Sequence, residues 1–272
     1  PYGKFIDVRG AICIASKACG APSDGSTGDL VTFSWSVPSA TEYLQRGDCY
    51  GSVDAACGSG MIIRNTIDEA KTGLNFVEFE NAFGYEYIYF VGGNPQAKYA
   101  ALVFDGPRTT ANGLTFTNTN ASNIFLTNLA NPSITSSTFT LGQDAYSLGK
   151  RAAIDSLGAG AGISDPFTVS SSTFTGDAEG SCGNNGNGIQ MIYADNSYIA
   201  LDGISINDNG YGVFFKQSSG EIINSDIDIN CAAVNTNGFK QTGTIKHTLL
   251  INDNVLTTAE GAGITAYDQA RI

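Results

Sequence analysis

Basic side chains, histidine and long apolar runs are all scarce in this sequence, and each scarcity removes a class of function. Fourteen Lys and Arg stand against 26 Asp and Glu, a formal charge of −12. That leaves no basic stripe to displace counterions from a phosphate backbone, so nucleic acid is not an expected partner. The single histidine, His247, lies far in sequence from most of the six cysteines, none of which has Cys-x-x-Cys spacing. A zinc centre is therefore disfavoured. No apolar run reaches 18 residues, so no helical membrane span is expected. Seven prolines sit among 33 glycines and many Asn, Ser and Thr, a mixture suited to short strands and tight turns rather than long helices.

What is present is enough to fold. In 272 residues, 42% of them hydrophobic, the chain can bury a large core as one elongated domain or two. An acidic surface suits divalent cations, neutral polysaccharide or plain solubility. Six cysteines point to an oxidising compartment. Cys13, Cys19, Cys49 and Cys57 form two close pairs whose connectivity the sequence leaves open, and Cys182 with Cys231 could form a third bridge. The Asn120-Ala121-Ser122 acceptor agrees with secretion. No basic-then-apolar leader opens the sequence, so a secretion signal is expected to have been removed or not included. The expected location is extracellular or the cell surface.

The strongest pattern is a repeat. Apolar residues five positions apart recur as Ile134/Phe139, Val169/Phe174, Ile199/Ile204, Ile222/Ile227 and Ile245/Leu250, with Ala111/Phe116 as a weaker first member. The second residues of these pairs are separated by 23, 35, 30, 23 and 23 positions, a unit of 23 with two insertions. A fixed period of this size marks units that bury a core only by stacking. Gly-x-Gly entries at Gly160, Gly186, Gly210 and Gly261 precede short strands, and Asn-rich turns such as Asn207-Asp208-Asn209 close the units. Thr115-Phe116-Thr117, Thr138-Phe139-Thr140 and Thr173-Phe174-Thr175 repeat a further pattern. Before residue 111 the apolar segments, at 61–67, 74–79, 85–91 and 100–104, are less evenly spaced.

Three short strands and three turns per unit resemble one coil of the right-handed parallel β-helix proteins of the pectate-lyase-like superfamily, over roughly residues 111 to 272. The resemblance implies an all-β solenoid of about 23 residues per coil. The N-terminal part, residues 1–100, is expected to be an irregular, disulfide-containing cap, followed by the β-helix over 101–272. It leaves function open, because that superfamily includes lyases, hydrolases, epimerases, adhesins and surface-layer proteins. The hydrolase signatures Asn-Thr-Asp, Asp-Asp and Gly-His-Gly are missing as a set.

Candidate chemistry is dispersed. Stacking the strands after the glycine entries puts Gln190 and Ile192, Phe214 and Lys216, and Thr265 and Tyr267 on one outer face, with Asp195 and Asp268 at its edge. Of these, Gln190, Phe214, Lys216 and Tyr267 could bind carbohydrate by stacking and hydrogen bonding. Lys150 and Arg151, in an insertion that also holds Asp144, Asp155 and Asp165, are with Lys216 the candidate catalytic bases. Asp24 and Asp29 are the candidate Ca2+ ligands, without full EF-hand spacing. The sequence stops at Ile272 just after a fresh glycine entry, which suggests a longer chain or an end that meets another copy. The leading expectation is a secreted or cell-surface structural or adhesive module acting through self-association into a filament or lattice. The alternatives are a β-helix polysaccharide lyase or glycoside hydrolase, and a non-catalytic carbohydrate-binding module.

Overall fold

The computed structural model describes residues 5–9, 12–14, 31–34, 60–64, 73–80, 82, 84–91, 94–106, 110–119, 122–141, 152–162, 164–176, 190–208, 211–229, 233–237, 241–242, 245–246, 249–252, 255–258 and 264–267. These residues are all-β. In chain order the strands are β1 (Phe5–Arg9), β2 (Cys13–Ile14), β3 (Val31–Ser34), β4 (Gly60–Arg64), β5 (Gly73–Asn75), β6 (Val77–Glu80), β7 (Tyr85–Val91), β8 (Asn94–Asp105), β9 (Thr110–Asn112) and β10 (Thr115–Thr119). Then come β11 (Ser122–Thr127), β12 (Ser133–Thr135), β13 (Thr138–Leu141), β14 (Ile154–Leu157), β15 (Phe167–Ser170), β16 (Thr173–Gly176), β17 (Gln190–Asp195), β18 (Tyr198–Asp202) and β19 (Ser205–Asp208). The last are β20 (Tyr211–Lys216), β21 (Ser219–Ile223), β22 (Asp226–Ile229), β23 (Val234–Asn237), β24 (Gln241–Thr242), β25 (Ile245–Lys246), β26 (Leu249–Asn252), β27 (Val255–Thr258) and β28 (Ile264–Tyr267).

Three sheets take these strands in turn. The first runs β1-β4-β8-β11-β14-β17-β20-β23-β28, the second β2-β5-β9-β12-β15-β18-β21-β26, and the third β3-β6-β10-β13-β16-β19-β22-β27. Their neighbours pair in parallel, so each circuit of the chain adds one strand to every sheet, about 4.8 Å beyond the last. This is a β-helix-like arrangement of stacked parallel strands. Among the described residues, antiparallel pairing is confined to β7 with β8, β24 with β25, and a Gly162–Asp165 bridge. The sheets pass through residue 100 without a break: β1 to β6 already belong to them.

Alternation explains the strands. In β6, Val77 and Phe79 are buried while Glu78 and Glu80 are part exposed; β22 reads Asp226-Ile227-Asp228-Ile229 with the isoleucines inside. Like positions stack from circuit to circuit. Under the third sheet the rings of Phe79, Phe116, Phe139 and Phe174 lie parallel, with successive centroids 5.2, 5.3 and 4.5 Å apart, and Phe33 extends the column at 5.8 Å from Phe79. Such pairs add to the burial of large side chains.

The register corrects the repeat beyond Phe174. The register continues through Ile206, Ile227 and Leu256, so from Phe116 the steps are 23, 35, 32, 21 and 29 rather than 23, 35, 30, 23 and 23. Ile204 is buried but stands two residues earlier, in a corner. Leu250 pairs with Glu221 in the second sheet, not with Ile227, and Ile245 lies in the antiparallel β24–β25 pair outside the three sheets. The second-sheet column is Ile134, Val169, Leu201, Ile222 and Ile251.

The corner that holds Ile204 has a fixed construction. Between the second and third strands of successive circuits, Phe76, Gly113, Ser136, Ser171, Gly203 and Asn224 each take a left-handed backbone, φ 48–65° across the corners. One such residue redirects the chain. Its N–H is donated to the next circuit, as from Ser136 to the Ser170 carbonyl at 3.1 Å and from Gly203 to that of Ile223 at 3.1 Å. The following residue is Ser137, Ser172 or Ser225, whose hydroxyl accepts the N–H of the equivalent residue one circuit before at 3.1–3.2 Å and donates to its own corner carbonyl at 2.8 Å. Ser197 and Ser218 repeat this at the other corner. The buried polar ladder among the described residues is thus serine, while most of the Asn-rich turns, Asn209, Asn230 and Asn254 among them, lie outside the described residues. The glycine entries also have mixed causes. Gly160 needs its positive φ of 74°, whereas Gly212 lies inside β20, where a Cβ would meet the Ala233 carbonyl at 2.4 Å.

Candidate functional site

Two outer faces are distinctive. On the first sheet the outward positions form two rows. One runs Ile62, Val103, Phe125, Asp155, Tyr193 and Phe214, with Asn235 and Thr265 next in backbone register; the other runs Arg64, Asp105, Thr127, Leu157, Asp195 and Lys216, with Asn237 and Tyr267 next in register.

An arm roofs part of these rows. The first half of β8 pairs with β7, and only its second half joins the sheet. Tyr87 of the arm lies 5.5 Å from the Phe125 ring, and its hydroxyl accepts a hydrogen bond from Asn128 Nδ2 at 3.1 Å. Burial raises the pKa of that hydroxyl, and the charge of Asp105 adds to the rise. Ile62, Ala100, Val103 and Phe125 are fully buried in a cluster separate from the main core. Further along, Lys98 Nζ of the arm meets Asp155 Oδ2 at 2.5 Å and lies 5.4 Å from the Tyr193 ring centroid.

Asp155 is 2% exposed, and its Oδ1 has no hydrogen-bond partner among the described residues. Burial pushes its carboxyl above the usual range; Lys98 pulls it down, and Asp195 adds to the rise. Alongside, Lys216 bonds Asp195 at 2.8 Å, and Arg64 joins Asp7 at 3.2 Å to Asp105 at 2.9 Å.

The third sheet is different. Thr115, Thr138 and Thr173 stand opposite one another on adjacent strands, as do Thr140 and Thr175; Thr117 precedes an irregularity in the β10–β13 register. Thr138 and Thr173 are exposed. Glu78 closes one end, accepting hydrogen bonds from Thr32 at 3.0 Å and Thr117 at 3.2 Å. The ranks continue to Ser205 and Asn207, then to Asp226 and Asp228. Each hydroxyl can both donate and accept, and three successive rungs carry no charge.

The sequence candidates are distributed as follows. Lys216 and Tyr267 share a row, two strands apart. Phe214 is in the adjacent row, stacked on Tyr193 at 5.4 Å, but it is only 8% exposed and is not an open stacking platform. Gln190 pairs with Tyr211, outside both rows, and Ile192 is fully buried in the core. The outward residues of β17 are instead Tyr193 and Asp195. Cys13 pairs through its backbone with Gly73. Lys150, Arg151, Asp24, Asp29, Cys19, Cys49, Cys57, Cys182, Cys231 and His247 lie outside the described residues. Among the described residues no three acidic, cysteine or histidine side chains are gathered as a metal site. Lys98 had no motif to announce it; the only signal was the length of β8, 12 residues where most strands have three to six. Comparisons with family models, curated proteins and solved structures found no match.

Proposed function

We propose that this chain is a secreted or cell-surface right-handed parallel β-helix that serves as a structural and adhesive module and lays its third sheet against extracellular polysaccharide. The observation that carries this reading is the in-register set of threonine hydroxyls at Thr115, Thr138 and Thr173, the last two exposed and the first part exposed. A rigid neutral face of this kind meets a polymer with little loss of side-chain freedom, because β-branched residues have few rotamers to lose. Disulfides among Cys13, Cys19, Cys49 and Cys57 would staple the N-terminal segment, and Ca2+ at Asp24 and Asp29 belongs to the same reading. Assembly into a filament or lattice would use sheet edges, since an edge strand offers unpaired backbone groups. The test is co-sedimentation of the chain with insoluble polysaccharides. Saturable binding that is lost in the Thr138→Lys/Thr173→Lys variant with unchanged melting supports adhesion through this face. Binding unaffected by that change removes the face from the account.

A second reading is favoured by Lys216 and Asp195 beside Tyr193 on the first sheet: a β-helix lyase or hydrolase, or a carbohydrate-binding module at that face. Release of unsaturated or reducing ends from uronate polymers, abolished by Lys216→Ala, would favour the enzyme. Saturable sugar binding without turnover, weakened by Tyr193→Ala, would favour the binding module.

A further inference from the structure

The contact between the arm and the first sheet goes beyond what adhesion by the third sheet requires. Lys98 and Asp155 lie 57 positions apart in sequence, their side chains are 21% and 3% exposed, and Nζ touches Oδ2 at 2.5 Å. One carboxyl oxygen is engaged, and the other is buried with no hydrogen-bond partner among the described residues. An ionised pair in this setting is poorly compensated, since burial of charge is repaid only when the remaining lone pairs are satisfied.

We propose that Lys98 and Asp155 condense to an intramolecular amide, an isopeptide bond that ties the arm to β14. Transfer of one proton from the ammonium to the carboxylate gives a neutral amine and a neutral acid, the forms that burial favours. The Nζ lone pair then adds to Cγ. The tetrahedral centre expels one carboxyl oxygen as water, which carries away the acid proton and one amine proton, and the C–N bond remains. No oxidant, reductant or activating group is consumed. Contact between the reacting groups replaces the concentration that an intermolecular condensation would need. The product also discards one of the two carboxyl oxygens, leaving a single amide carbonyl in place of a carboxylate with an unpartnered atom.

The neighbouring pair is an internal control. Lys216 and Asp195 are in similar contact at 2.8 Å, but their side chains are 44% and 18% exposed. Water reaches that pair and competes with its contact, so it stays unlinked. Arg64 and Asp105 stay unlinked because a guanidinium is always protonated.

The test is intact-mass and peptide-mapping mass spectrometry on the whole chain, incubated folded, then denatured with its thiols reduced. The expected result is a protein one water lighter than its sequence, with a branched peptide joining Lys98 to Asp155, while Lys98→Arg has the full sequence mass. A wild-type protein of full mass overturns the proposal. So does a water loss that maps elsewhere, as to a cyclised Asp105-Gly106. The wild-type measurement decides alone, whether or not the variant folds, and its outcome is independent of adhesion by the third sheet.

Discussion

The first and third sheets share one strand spacing and one set of circuits, yet their outer faces differ in kind. Among the described residues the third sheet is bare: phenylalanines and isoleucines lie below, threonine hydroxyls lie above, and Glu78 draws Thr32 and Thr117 together. The first sheet is roofed, so its outward positions at Ile62, Val103 and Phe125 form a second buried cluster and Asp155 becomes a buried acid. The difference teaches that alternation along a strand defines which residues share a face, while other parts of the chain decide whether that face meets water.

The largest expected effect lies inside the third sheet. Ile227→Asp places a charge at a fully buried position beside Ile206, at a cost of several kcal/mol, comparable to the whole stability of a domain. Loss of the cooperative melt in circular dichroism is the expected outcome, and an unchanged melt would remove the column.

Next is the roof of the first sheet. Lys98→Met removes the amide or ionic partner of Asp155, leaves a buried carboxylate, and should destabilise the protein by at least about 3–5 kcal/mol at neutral pH, the range for breaking a buried ion pair. The sign with pH follows from burial, which raises the folded-state pKa of Asp155 once Lys98 no longer opposes it. Stability held by the protonated form is present below the ordinary carboxylate range and is lost as pH rises through the raised folded value. Melting of Lys98→Met should therefore improve on acidification, and adding Asp155→Asn should flatten that response. A Lys98→Met protein whose melting falls on acidification would contradict the buried carboxylate.

Smaller effects fall at the corners and on the bare face. Ser172→Ala leaves the Ser137 N–H without its 3.1 Å acceptor and should cost about 1–3 kcal/mol in denaturant titration. Thr138→Lys, outside the same sheet, should change stability by only about 0.5 kcal/mol or less. If the bare and roofed faces were alike, Thr138→Lys and Lys98→Met would weaken the protein equally.

The all-β class and the stacked strands were legible in the sequence because the Thr-Phe-Thr units sit at register positions at Phe116, Phe139 and Phe174. The register was lost after Phe174 for a physical reason. Ile204 occupies a corner position that serine fills at 137, 172 and 225, and an apolar residue there is indistinguishable by spacing from a strand residue. Counting from the Gly186 entry placed Asp195 at the edge of the first sheet's outer face but reached Gln190 and Ile192 in place of Tyr193. Lys98 was invisible for a further reason: it acts across 57 residues through an arm whose direction no local pattern fixes.

The ranks run on from threonine to Ser205 and Asn207, and the buried column from Phe174 to Ile206, only if the β16–β19 register holds, so a cross-link between these strands tests the account most directly. Opposed residues on neighbouring parallel strands lie within the Cα separation that a disulfide spans, about 4.4–6.8 Å. Thr173 stands opposite Ser205, the register that sets Ile206 beside Phe174. With peptide mapping by mass spectrometry, Thr173→Cys/Ser205→Cys should oxidise to an intramolecular disulfide while Thr173→Cys/Gly203→Cys does not. Efficient bridging of the Gly203 pair in place of the Ser205 pair would put Ile204 opposite Phe174 and contradict the register.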